Sequence, residues 1–274
     1  MFRKTLLLCF IGLYLHAAEP DALAISANIQ AKHLPFGTVL DPMYASTAST
    51  QITGYTRCGD SATWTGHYLA AEAFRYRVTR STDALNNVRG AIAGIKSLVD
   101  VTGNNLLARC LVPSNSTYAA GISSEEAHNG IYTNRSMGDI WVGNTSRDQY
   151  SGVFFGLGVA YDMVDDTAIR NSISDLVTRM LDYLTGHAWT LIMPDFSIST
   201  TFIGRGDQML SLMQIGRHVN PTHFGSTYNQ YIGLWATEMI VPITAETTSD
   251  SSYFKFNLDY INLYNLEQIG RAHV

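Results

Sequence analysis

Apolar positions recur at helical spacing through most of the chain. Leu85, Val88, Ile92, Ile95, Leu98 and Val99 make one stripe; Ile169, Ile173, Leu176, Val177, Met180 and Leu184 make a second. Each stripe follows a capping residue, Ser81-Thr82-Asp83 in the first case and Asp165 or Asp166 in the second. Gly103 ends the first helix. Two other segments are apolar on more than one side. Trp64, Tyr68, Ala71 and Arg75 predict a helix from Gly59-Asp60-Ser61 to about Thr79. A helix from Arg147 carries Phe154, Phe155, Leu157, Val159, Tyr161 and Met163, with Gly152, Gly156 and Gly158 between them. Further helices are predicted over 21–34, over 206–218, from Pro221 (a first-turn residue) to about Ile240, and over 252–266. The Thr-, Ser-, Gly- and Pro-rich stretch 38–56 reads as extended or looped, and 103–146 as a long, polar, irregular connection. Connections of that length inside a compact domain usually carry function.

After the first short helix, packed and solvent-facing helices alternate in pairs joined by short polar links. This predicts an all-α fold, an (α/α) toroid of helical hairpins with the packed helices as the inner ring. A bundle or a solenoid of hairpins is the simpler alternative. Seven helices are about half of the roughly twelve in a closed ring of six hairpins, so the toroid is expected to be incomplete. The end of the chain fits that expectation. Ile269-Gly-Arg-Ala-His-Val274 is what ATC GGA AGA GCA CAC GTC encodes, one frame of a widely used sequencing adapter. The expected division is therefore a signal peptide over 1–18, a truncated toroid domain over 19–268 and a non-native tail over 269–274. Missing C-terminal hairpins or a fused domain would follow Gln268 in the natural protein.

Arg3 and Lys4, the apolar run Leu6–Leu15 and the small residues Ala17 and Ala18 have the layout of a secretory signal peptide. The run is too short to span a bilayer, which takes about 20 apolar residues. A secreted or periplasmic location follows, with no membrane association after cleavage. Cleavage removes two of the 18 Lys and Arg, leaving 16 against 23 Asp and Glu, a net charge of −7. No basic run survives, which argues against a nucleic-acid partner. Cleavage also removes Cys9 and leaves Cys58 and Cys110. In an oxidising compartment that pair invites a disulfide, the alternative being two buried thiols.

In a toroid, the links that lead into inner helices gather at one mouth. Those links here are 57–67, 143–150 and 203–208, each with Gly, Asp and hydrogen-bonding side chains. Free N–H groups at helix starts also favour anions. Asp60, Trp64 and His67 fall on one helix face and could form a saccharide-binding and acid/base set; Asp60 could equally be an N-cap and His67 a core histidine. Arg147-Asp148-Gln149-Tyr150 and Arg205-Gly206-Asp207 open the other two helices. The candidate catalytic residues are Asp148, Asp60, His67 and Asp207. The candidate substrate-binding residues are Trp64, Arg147, Gln149, Tyr150, Trp141 and Arg205. In the long connection, Glu125 and Glu126 read as a solvated charge cluster. The histidines lack metal-ligand spacing, and neither a phosphate-binding loop nor a nucleophile elbow occurs, so no metal and no cofactor is expected.

The segments Gly59-Asp60-Ser-Ala-Thr-Trp64, Ala108-Arg109, Trp141-Val-Gly-Asn-Thr-Ser-Arg-Asp148 and Tyr161-Asp162-Met-Val-Asp165 carry a resemblance. In this order they resemble a poorly characterised group of bacterial exported domains, similar to the six-hairpin glycosidase-like α/α toroids, over about residues 21–190. The resemblance implies a carbohydrate-active enzyme, hydrolase or lyase. It marks Asp60, Trp64, Arg109, Trp141, Asp148 and Gly152 as motif positions. Asn144 stands where the pattern has Asp. Three functions compete on this reading. One is a carbohydrate-active enzyme, with Asp148 and Asp60 or Asp207 as acid and base, or His67 or Tyr150 as a lyase base and Arg147 neutralising a uronate. The second is a non-catalytic glycan-binding or sensor module using the same mouth. The third is a structural toroid with no small-molecule site.

Overall fold

A computed structural model describes residues 19–134, 136, 138–235, 243–244 and 252–270. The expected signal peptide and the last four residues lie outside the described residues. The predicted helices form close to the predicted bounds: α1 (Glu19–Asn28, continued by a wider turn to His33), α2 (Ser61–Thr79), α3 (Thr82–Asp100), α5 (Arg147–Met163), α6 (Thr167–Gly186), α7 (Gly206–Val219), α8 (Pro221–Trp235) and α9 (Tyr253–Gln268), with a short α4 (Ala119–Glu125) between α3 and α5. The part of the α8 prediction beyond Trp235 lies outside the described residues. Ser81 caps α3 by accepting from Ala84 N, and Asp166 caps α6 by accepting from Ile169 N.

The helices pair in sequence, α2 with α3, α5 with α6 and α7 with α8. α2, α5 and α7 form one layer, with α3 and α6 packed against it from outside. Burial follows the predicted alternation: α5 and α7 are covered on most sides, whereas α3 and α6 bury single stripes. The α2–α5 contact is set by glycine. A Cβ on Gly66 would lie 2.0 Å from Gly152 O, and one on Gly156 would lie 2.2 Å from Gly66 O. Only hydrogen fits there, so the two backbones touch and the helix starts lie side by side. α9 rests on this inner layer, against α5 and α7.

The connection 103–146, expected to be irregular, holds a three-stranded antiparallel sheet. β3 (Cys110–Val112), β4 (Ile131–Thr133) and β5 (Ile140–Val142) lie in the order β3-β5-β4. Three-residue strands are too short for a period-2 pattern to register. Two small hairpins complete the fold, β1 (Asp41–Tyr44) with β2 (Ile52–Thr56), and β6 (Thr190–Ile192) with β7 (Ile198–Thr201). Cys58 and Cys110 form the disulfide, with Cα atoms 5.4 Å apart and both residues buried. No helix among the described residues is long and apolar enough to cross a membrane.

Candidate functional site

The starts of α2 and α5 meet at Arg109, in the turn before β3. Its backbone O accepts from Ala62 N at 3.0 Å, and its N donates to Val142 O at 3.0 Å. Its guanidinium donates to Gly59 O at 2.7 Å and to Asn144 O at 2.8 Å. One residue thus ties the turn before α2 to the turn before α5. Burial pushes its pKa down, opposed by the negative charges of Asp60, Asp148 and Glu126 around it. Asp60 and Asp148, the two carboxylates of the expected mouth, thus lie within electrostatic reach of one guanidinium, whose hydrogen bonds go to backbone carbonyls. Both carboxylates are half-exposed.

Asp60 stands at the N-cap position of α2 without capping it through its side chain, which faces Arg57 at 3.8 Å. The first amides of α2 are taken by Arg109 O and by Gln149 Oε1, which accepts from Thr63 N at 3.1 Å. Those two N–H groups are therefore not available to an anion. Gln149 is itself buried, which makes it a joint between α2 and α5 rather than a substrate contact.

Glu126 corrects the expectation of a solvated cluster. It is 4% exposed, and its carboxylate accepts from Gly59 N at 2.7 Å and Asn129 Nδ2 at 2.7 Å. Asn129 Oδ1 in turn accepts from Asn144 Nδ2 at 3.1 Å. Asn144 adopts a left-handed backbone (φ 48°) and receives Ser199 Oγ–H at 3.1 Å. Asn144 thus supplies an amide that both donates and accepts. Neighbouring Glu125 remains exposed and accepts from Thr56.

Other predicted residues are buried or engaged within the fold. Tyr150 is fully buried, its hydroxyl accepting from Leu107 N at 3.2 Å, and burial drives its pKa far up. It is a core side chain, neither a saccharide platform nor a lyase base. Trp141 is buried and stacked on Tyr132, with ring centroids 4.6 Å apart, so no indole face is offered to a ligand. Arg147 donates to Thr200 Oγ1 and Thr201 O, fastening α5 to the β6–β7 hairpin. Asp207 is 1% exposed and held by Arg205 Nε and Nη2 at 3.1 and 2.8 Å. Arg205 Nη2 also lies 4.0 Å from Asp259 of α9. That ion-pair group sits under α9, apart from Arg109.

Trp64 and His67 are on one face of α2, as predicted, and they border open space. With His33, Asp41 and Arg57 they line a cavity of about 620 Å³ between α2 and the turn after α1. Trp64 is 39% exposed, its ring centroid 5.2 Å from that of His67 and 6.3 Å from that of Phe254. His67 Nδ1 lies 3.0 Å from Thr63 O and its Nε2 lies 3.0 Å from Asn257 Nδ2. A carbonyl partner requires a proton on Nδ1, and an amide N–H partner requires a lone pair on Nε2. Both ring nitrogens are thereby engaged in one neutral tautomer. Among the described residues, no three His, Cys, Asp or Glu side chains gather to hold a metal ion.

No family model, no curated protein and no solved structure matches the chain.

Proposed function

We propose that the protein is an exported glycan-binding module, its hairpins part of an α/α toroid and its ligand a neutral saccharide. The observation that carries this reading is the exposed ring of Trp64 on the wall of the 620 Å³ cavity, between polar groups of both signs. A flat aromatic face stacks on the C–H face of a sugar, and Arg57, Asp41 and His33 offer donors and acceptors at its rim. The net negative charge of the chain disfavours anionic glycans.

Binding without turnover is supported by the surroundings of the carboxylates. A glycosidase needs one carboxyl kept protonated, by an apolar pocket or a like charge. Asp60 and Asp148 are both half-exposed rather than set in an apolar pocket, and His67 has both nitrogens engaged. The second reading, a glycoside hydrolase, is favoured by two carboxylates, Asp60 and Asp148, within electrostatic reach of the same Arg109.

Calorimetric titration with neutral and uronic oligosaccharides, alongside an assay for new reducing ends and unsaturated products, tests both. The expected result is binding of a neutral oligosaccharide that weakens about tenfold or more in Trp64→Ala, with no product formed. Product formation that disappears in Asp148→Ala would replace the first reading by the second. No binding by any saccharide would end both.

A further inference from the structure

α9 meets the inner layer along a polar seam. Asn262 Nδ2 donates to Ser151 Oγ on α5 at 3.2 Å, and Asn265 Nδ2 donates to Ser211 Oγ on α7 at 3.0 Å. Asn257 reaches His67 at the same seam, and just past the helix Ile269 O accepts from Gln214 Nε2 at 2.8 Å. Asn262 and Asn265 are 1% and 0% exposed, yet the carbonyl oxygen of each has no hydrogen-bond partner; Gln208 Oε1, one turn before Ser211, is in the same position. A buried amide oxygen without a donor loses its hydrogen bonds to water and gains none. The seam differs from the α2–α5 contact, which is closed by glycine. Leu258, Ile261 and Ile269 supply the apolar contacts that seat α9.

Beside the Arg205–Asp207 ion pair, the face beneath α9 presents Ser151, Ser211, Gln208 and Gln214, uncharged groups that both donate and accept. Neutral hydroxyl groups match that set. His67 belongs to this face and to the Trp64 cavity alike. We infer that the polar face of α5 and α7 is a second saccharide-contacting surface and that α9 is its displaceable cover. The ligand class rests on the carbohydrate reading of the mouth; the displacement of α9 does not.

Hydrogen exchange on the full chain, read by mass spectrometry, tests it. In the ligand-free protein α9 amides should exchange about tenfold or more faster than those of α5 and α7. Saturation with whichever malto- or chito-oligosaccharide binds should accelerate α9 further. Asn265→Leu, which exchanges one orphaned oxygen and the bond to Ser211 Oγ, a hydroxyl free to turn to another acceptor, for apolar contact, should slow α9 and weaken saccharide binding. Exchange of α9 together with α5 and α7, or a bound saccharide that slows α9, overturns the proposal. If no saccharide binds, the ligand class falls with the reading of the mouth. The cover is then judged by the ligand-free exchange and by Asn265→Leu.

Discussion

Gly59 N donates to the buried carboxylate of Glu126 at 2.7 Å, across 67 positions of sequence. Through this bond the connection between α3 and α5 holds the turn that starts α2. Glu126→Ala strands two buried donors, Gly59 N and Asn129 Nδ2, and removes a negative charge beside Arg109. Urea unfolding should show a loss of about 3 kcal/mol. Glu126→Gln, which keeps one acceptor, should lose less.

Gly66→Ala places a methyl group 2.0 Å from Gly152 O, a contact that neither backbone can relieve without separating α2 from α5. A loss of about 3 kcal/mol or more, or failure to fold, is expected. Gly90→Ala in α3, where a Cβ meets nothing within 4 Å, should instead stabilise by up to about 1 kcal/mol. Thermal melts of the two variants should move in opposite directions.

Replacing both Cys58 and Cys110 by Ala opens a loop with a sequence separation of 52. The chain-entropy model puts the loss at about 4 kcal/mol. Comparison of denaturation midpoints with and without a strong reductant should show the same loss in the unmodified protein and no further loss in the variant.

Burial pushes Tyr68 up to about 12 and Tyr150 higher still. Below pH 10 both tyrosines are neutral in the folded and the unfolded chain, so they add no pH dependence there. Above pH 10 the unfolded chain releases these protons while the folded one retains them, and stability falls as pH rises. Each retained proton contributes a slope of up to about 1.4 kcal/mol per pH unit. Urea unfolding at pH 9 and pH 11 should show a smaller drop for Tyr150→Phe than for the unmodified protein.

The helices were legible because their apolar stripes are long and their caps are local. Ser81 and Asp166 act within three residues of themselves, so their role is written in adjacent sequence. The site was legible in part. Asp60 and Asp148 could be named as residues at helix starts, and Arg109 stood out as a motif position. That both lie within electrostatic reach of one guanidinium depends on a close approach of α2 and α5 that only packing reveals. Glu126 reads as a surface charge from its exposed neighbours Glu125 and His128; its burial is decided by Gly59, far away in sequence. Tyr150 and Trp141 show the converse, aromatic rings beside polar residues that turn inward. The three-residue strands carried no usable pattern.

Cys58 lies two residues before Asp60, and Cys110 follows Arg109 directly. Bond formation between them fastens the segments that bring a carboxylate and a guanidinium together. The charge cluster around Arg109 is thus a product of oxidation as well as of folding. Synthesised under reducing conditions, the chain can form its helices from their own stripes and caps, while the charge cluster at their starts lacks its covalent tie.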